Sequence, residues 1–239
     1  MEAFQNRRDI NLTRTLPRPN AYTMALDGEF SHVAFNEERA PLFKGHWREK
    51  VFGASAEVPM DLEIGTGNGF FFAHRAQTQP QRKLLGLELK YKPLIQSIRR
   101  ATLGGGKNVA IARYHAFNIS ELFESEELNH VFIHFPDPWT SPKKPKNRIV
   151  NRYHLGLLYK MQRAGSFLEF KTDSRPYFLW AMEEIKESPY QIEFQTLNLH
   201  QSEKAAENFM TGFEKIFTKQ GIEINYVLLR KPLTQTKSP

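Results

Sequence analysis

Two segments of this 239-residue chain place residue types at spacings that can do chemistry. The first runs from Asp61 to Gly69 as DLEIGTGNG, and Glu88 follows one βα unit later in LLGLELK. Gly65, Gly67 and Gly69 let the backbone turn tightly from a strand into a helix, so that amide groups can approach a ligand closely. Glu88 closes the next strand, where a carboxylate can accept both hydroxyls of a ribose. A dinucleotide fingerprint needs its third glycine at position 70, which is Phe70 here. Glu63, two residues before the first glycine, adds a negative charge suited to an ammonium group. A ribose ligand with an amino-acid tail points to S-adenosylmethionine.

The second segment is HFPDPWTSPKKPKNRIVNR, from His134 to Arg152. It follows the fourth apolar strand, at the carboxyl edge where open α/β sheets place their ligands. Asp137 would face the methyl donor, and Pro138 gives its loop a stiff start. Trp139 offers a flat face for a base. Lys143, Lys144, Lys146, Arg148 and Arg152 supply closely spaced cations for phosphates. Amino-group N-methyltransferases have, at this place, a motif resembling Asp or Asn followed by two prolines and an aromatic. The single proline before Trp139 argues for a different acceptor.

Strand and helix signals alternate from Pro59 onward. Strands are expected at Met60 to Ile64, Leu84 to Leu89, Val109 to Tyr114, Val131 to Phe135 and Ser166 to Lys171. Helices are expected at Phe70 to Gln77, Pro93 to Leu103, Tyr153 to Gln162 and Tyr177 to Glu187, with a helical turn near Ser120 to Phe123. Such alternation implies a parallel sheet with right-handed crossovers. Gln191 to Leu199 and Ile222 to Leu229 read as closing strands. Residues 1–45, with Arg7, Arg8, Arg14 and Arg18 among Pro17, Pro19 and Asn20, read as a basic N-terminal arm, irregular or partly disordered, either a solvated tail or an RNA contact. Residues 46–239 are expected to form a single domain.

Lys and Arg total 33 against 26 Asp and Glu, a net charge of +7 compatible with a polyanionic partner. The absence of cysteine excludes disulfides, thiolate metal sites and a cysteine nucleophile. His130 and His134 share a strand face roughly 13 Å apart at about 3.3 Å per residue, too far to chelate one ion, so no metal is expected. No apolar run is long enough to span a bilayer and MEAFQNRRDI lacks the apolar core of a secretory signal, so a cytoplasmic location is expected.

With both segments in view, the chain resembles the bacterial tRNA (guanine-N7)-methyltransferase family from about Phe52 to Tyr226. The resemblance rests on FG at Phe52 and Gly53, LEIGTGNG, GLEL, FPDPW, the basic stretch ending at Arg148, FKTD at Phe170 to Asp173 and TGFE at Thr211 to Glu214. It implies a class I methyltransferase fold, a Rossmann-like α/β sheet of seven strands, mostly parallel with an antiparallel last strand and helices on both faces. It also implies methyl transfer from S-adenosylmethionine to N7 of a guanine in the tRNA variable loop. Residue by residue, it suggests Glu63, Gly65, Gly67, Glu88, His115, Ala116 and Asp137 for the cofactor, with Asp137 catalytic. For the guanine or tRNA it suggests Lys143, Asp173, Thr211, Gly212, Phe213 and Glu214. His115 stands where the family usually has an aspartate before alanine. An inserted residue leaves Lys144 as the alternative to Lys143.

Guanine N7 presents an in-plane lone pair, so its methylation needs alignment and charge stabilisation but no general base. Asp173 can accept from guanine N1 and N2 hydrogens, or else cap the helix that follows. Thr211 and Glu214 carry the signature of a capping box. The other readings are methylation of a different RNA nitrogen and a non-catalytic RNA-binding module on the same fold. No obligatory protein partner is expected, the chain acting as a monomer or homodimer.

Overall fold

The computed structural model describes residues 8–16, 18–141 and 145–233, which form two compact units dividing between Glu124 and Ser125. The first unit contains α1 (Ala21–Asp27), β1 (Ala34–Phe35), β2 (Met60–Ile64), α2 (Phe70–Thr78), β3 (Lys83–Leu87), α3 (Tyr91–Leu103) and β4 (Val109–Ala112). Its four strands are parallel in the order β1, β4, β3, β2. Strands covered on both faces read as continuous apolar runs, as β3 and β4 do. β2 departs from this with Asp61 and Glu63, both buried. Asp61 is held by Arg75 on α2 at 2.7 Å and by Arg82 at 2.6 Å, a paired charge that burial tolerates. The helices close the core with one face each: Phe72, Ala73 and Ala76 from α2, and Leu94, Ile95, Ile98 and Ala101 from α3, at helical spacing.

The arm expected to be irregular contains α1. Asn20 and Thr23 form its capping box, Asn20 Oδ1 accepting from Tyr22 N–H at 2.9 Å and Thr23 N–H at 3.2 Å while Thr23 Oγ1 accepts from Asn20 N–H at 2.9 Å. Seven residues between Pro19 and Gly28 are too few to show periodicity, which is why only the cap residues signal this helix. β1 adds one short strand to the seven that the resemblance implies.

The second unit contains β5 (Val131–His134), α4 (Arg152–Met161), β6 (Phe167–Thr172), α5 (Arg175–Lys186), β7 (Gln191–Thr196), α6 (Gly212–Lys219) and β8 (Asn225–Arg230). β5 and β6 are parallel, and β8 runs antiparallel between β6 and β7. The final strand is therefore antiparallel, as the class I methyltransferase fold requires. Ser174 caps α5, its Oγ accepting from Tyr177 N–H at 3.4 Å. That leaves the carboxylate of Asp173 out of the capping role.

Candidate functional site

In the first unit the suggested residues gather where β2, β3 and β4 end. Glu63 pairs in register with Gly86, and beyond it the N–H groups of Gly65 and Thr66 donate to Leu87 O at 2.8 and 3.3 Å. Gly65, Gly67 and Gly69 take φ of +78°, +53° and +77°, where an L side chain is strained. Their surroundings differ. A Cβ on Gly69 would lie 2.4 Å from Ser97 Cα, so this glycine lets α2 close on α3. A Cβ on Gly65 or Gly67 would meet nothing within 4 Å, so these two face open space beside exposed backbone.

Glu88 closes the same edge. Its Oε2 accepts from Gly67 N–H and its Oε1 from Lys90 N–H, each at 3.0 Å, leaving further lone pairs for a ligand. Burial pushes its carboxyl above the usual range, and the backbone hydrogen bonds from Lys90, Gly67 and Leu89 oppose that rise. The buried Oγ1 of Thr66 has no hydrogen-bond partner among the described residues. His115, half-buried just past β4, uses Nδ1 to accept from Phe117 N–H at 3.3 Å and so caps the turn that begins at Ala116. Burial, and secondarily the Arg8 charge, lower its pKa and favour the neutral ring. With Nδ1 accepting, the hydrogen of the neutral ring is on Nε2, so His115 offers a ligand a donor.

The arm packs onto this edge. Arg8 N–H donates to Asn118 Oδ1 at 2.7 Å and Asn118 Nδ2 donates back to Arg8 O at 2.8 Å. Arg113 donates to Asn11 O at 2.8 Å and pairs with the buried Glu37 at 2.6 Å. Sequence gave no sign of Arg113 or Glu37, whose pairing spans 76 positions.

In the second unit Asp137 and Asp173 leave neighbouring parallel strands at the carboxyl edge, since His134 pairs in register with Lys171 and Phe135 N–H donates to Lys171 O at 2.9 Å. Asp137 is exposed and Asp173 half-buried. The loop carrying Asp137 is strained: Phe135 and Trp139 take φ of +52° and +42°. A non-glycine residue held there costs on the order of 1–3 kcal/mol and persists only where its surroundings enforce it.

Lys171, two residues before Asp173, is a buried lysine at the centre of a polar cluster. It lies 3.9 Å from Glu169 Oε1 and 3.7 Å from Glu214 Oε2, and its Nζ donates to Asn208 Oδ1. His134 Nε2 lies 2.7 Å from Glu169 Oε1, and Tyr226 OH donates to Glu169 Oε2 at 3.1 Å. Burial and Lys171 disfavour a charged imidazole, so His134 enters as a neutral donor and Lys171 is the cluster's cation. Burial alone would raise the Glu169 carboxyl. The His134 hydrogen bond, the cluster's positive charge and the Tyr226 hydroxyl outweigh it and hold Glu169 down at about 2.

The same cluster fixes TGFE. Glu214 is fully buried, and Thr211 and Glu214 form the capping box of α6, Thr211 Oγ1 accepting from Glu214 N–H at 3.2 Å and Glu214 Oε2 from Thr211 N–H at 3.3 Å. Glu214 thus anchors the segment, while Phe213 is 56% exposed and Gly212 half-buried. Lys143 and Lys144 lie outside the described residues. Of the other expected phosphate ligands, Lys146 is exposed, and Arg152 pairs with Glu184 at 2.9 Å. Arg148 is turned inward, donating to Pro138 O at 2.9 Å.

The family described as Putative methyltransferase matches residues 57–227. A tRNA (guanine-N(7)-)-methyltransferase of Bdellovibrio bacteriovorus is 62% identical over 208 residues, 87% of this chain and 100% of that protein. One of Brevibacillus brevis is 31% identical over 185 residues, 77% of this chain and 85% of its own length. Among solved structures, the 16S rRNA methyltransferase KamB superposes with a TM-score of 0.54 at 14% identity, covering 73% of this chain and 88% of its own. An antibiotic-related methyltransferase does so with a TM-score of 0.52 at 20% identity, covering 72% and 86%. These two likenesses concern the fold.

Proposed function

Because the chain belongs to the Putative methyltransferase family, we propose that it transfers a methyl group from S-adenosylmethionine to N7 of a guanine in the variable loop of tRNA. The observation that carries this reading is the 62% identity, over the full length of the relative, to a tRNA (guanine-N(7)-)-methyltransferase. The edge of the first unit fits such a donor. It offers open space at Gly65 and Gly67, a carboxylate at Glu88 with lone pairs to spare, and an unsatisfied hydroxyl at Thr66.

S-adenosylmethionine supplies an electrophilic methyl group on a positively charged sulfur. In our reading Glu63 receives the ammonium tail, Gly65 and Gly67 line the backbone cradle, Glu88 accepts the ribose hydroxyls, and His115 with Ala116 meets the adenine. Asp137 is the catalytic carboxylate, favouring the positive charge that develops on the imidazole ring of guanine. Asp173, free of the capping role, accepts from guanine N1–H and N2–H and so selects guanine over adenine. Lys143 holds a phosphate of the substrate, and Phe213 presents its ring to the RNA from a segment that Thr211, Gly212 and Glu214 keep in place. No general base is required, because N7 already carries the attacking lone pair.

No helix among the described residues is long and apolar enough to cross a membrane. We place the enzyme in the cytoplasm, with tRNA as its partner and no obligatory protein subunit. Incubation of the purified protein with unmodified tRNA and methyl-labelled donor, followed by mapping of the modified nucleotide, tests the reading. N7-methylguanine in the variable loop is the expected product. Label on another nitrogen, or none, overturns it.

A further inference from the structure

Arg148 is the last cation of the basic stretch, and from sequence it is a phosphate ligand. Its surroundings assign it elsewhere. Nε donates to Pro138 O at 2.9 Å, and Nη2 reaches Trp139 O at 3.4 Å. The guanidinium carbon lies 4.8 Å from the ring centre of Trp180 and 5.3 Å from that of Tyr177, both on α5. Tyr177 is itself buried and fixed, its hydroxyl accepting from Val150 N–H at 3.0 Å. The two carbonyls that follow Asp137 are therefore tied, through one planar cation, to an aromatic floor.

We propose that Arg148 is a positioning residue for methyl transfer, holding the Asp137 loop in its strained conformation; this rests on the reading of Asp137 as the catalytic carboxylate. The strain supplies the reason. Trp139 at φ +42° returns to the ordinary backbone region unless something holds its peptide, and that return swings Asp137. Arginine suits the task because its fork can address two carbonyls while its face stacks on aromatic rings, which the ammonium of lysine cannot do. A displacement of about 1 Å at a reacting group can cost about a hundredfold in rate.

The test compares Arg148→Met and Arg148→Lys in the full-length protein labelled with fluorotryptophan. The chain has three tryptophans, so the Trp139 resonance is assigned by its loss in Trp139→Phe. The expected result in Arg148→Met is a shifted or broadened Trp139 line in the absence of tRNA. At saturating tRNA, single-turnover transfer falls about a hundredfold. Affinity for tRNA stays within about threefold and its salt dependence is unchanged, because no phosphate contact is lost. Arg148→Lys, which keeps the charge, is expected to resemble the Met variant in rate, and it carries the test alone if the Met variant does not fold. An unmoved Trp139 line, or recovery of the wild-type rate by lysine, overturns the proposal. So does a salt slope reduced by about 0.7–0.9 with the saturated rate intact, which is the signature of one phosphate contact. If the parent protein forms no N7-methylguanine, the functional reading fails, while the Trp139 line still decides whether Arg148 holds the loop.

Discussion

The carboxyl edges of the two units use left-handed backbone in opposite ways. In the first unit those positions are Gly65, Gly67 and Gly69, where the conformation is free of side-chain strain, and the nearby carboxylate Glu88 accepts two backbone N–H bonds. In the second they are Phe135 and Trp139, where it is costly, and a buried cluster around Lys171 and the clamp at Arg148 stand behind them. The first edge is relaxed and open, and in the proposed function it binds the donor. The second is strained, and in that same proposal it positions Asp137 at a cost in stability. Mutations at the first edge should therefore be read in donor affinity, and those at the second in rate or in folding.

The harshest way to break this comparison is Lys171→Met. It leaves Glu169 and Glu214 without the cluster's cation, and removing one partner of a buried pair costs on the order of 3–5 kcal/mol. Urea unfolding should show that loss, with a smaller one in Lys171→Met/Glu214→Gln, where one carboxylate in place of two is left without the cation. A cost below about 1 kcal/mol would make the cluster incidental, since exposed pairs contribute no more than that. The cluster also predicts a pH dependence. Glu169 is depressed from 4.5 to about 2 in the fold, so its contribution is fully present above 4.5 and is lost as pH falls toward 2. Glu169→Gln should flatten the stability profile in that window.

Next in size is Asp137→Asn, which keeps the shape of the loop residue and removes its charge. Single-turnover transfer at saturating donor and tRNA should fall about a hundredfold, roughly 2.7 kcal/mol, the scale of losing one preorganised electrostatic partner. Affinities for both substrates should hold. An equal loss in tRNA affinity would instead make Asp137 a binding residue and erase the contrast between the edges.

Glu88→Ala should do the reverse, weakening donor binding by on the order of 1.5–3 kcal/mol with tRNA affinity unchanged, as calorimetry would show. Acid should act in the same sense. Burial raises the Glu88 carboxyl, so its charge is lost as pH falls through a range above the ordinary one, and donor affinity should decline there in the wild type but not in Glu88→Ala. A pH-independent wild type would remove Glu88 from the donor site.

What was legible in the sequence follows the range of the interactions. The glycine-rich turn, the strand before it and the alternation that makes a parallel sheet are local patterns, and Met60–Ile64 has the bounds expected of it. The capping box of α6 was readable because both partners lie within three residues, although the helix it starts was not counted among the elements. Arg148 illustrates the limit. A run of lysines and arginines reads as a solvated or phosphate-binding surface, and only the fold brings Trp180, 32 positions later, beneath its guanidinium. Lys171 was hidden for a similar reason, since its partners Asn208 and Glu214 come from a distant segment. A lysine next to the last residue of a buried strand was the one available hint, because lysine is almost never fully buried unless paired.

The mildest test concerns His115, where the chain leaves its family's pattern. An aspartate there would accept from the amino group of adenine, and a neutral imidazole has one ring nitrogen that can accept in its place. The geometry gives the opposite polarity: Nδ1 is committed to Phe117 N–H, so the hydrogen available to a ligand is on Nε2. We therefore expect donor recognition at this position to use an acceptor on the adenine ring or the backbone around Ala116. His115→Asp should keep the cap, since aspartate also accepts from a turn N–H, and calorimetry should find donor affinity within about tenfold of the parent, roughly 1.4 kcal/mol. His115→Ala removes the cap and the donor together and should weaken binding more than His115→Asp does. Equal affinities in all three proteins would mean that His115 only caps the turn. Loss of donor binding in a folded His115→Asp protein would mean that the Nε2 hydrogen is indispensable, and the first edge would then depend on a specific donor as well as on an open cradle.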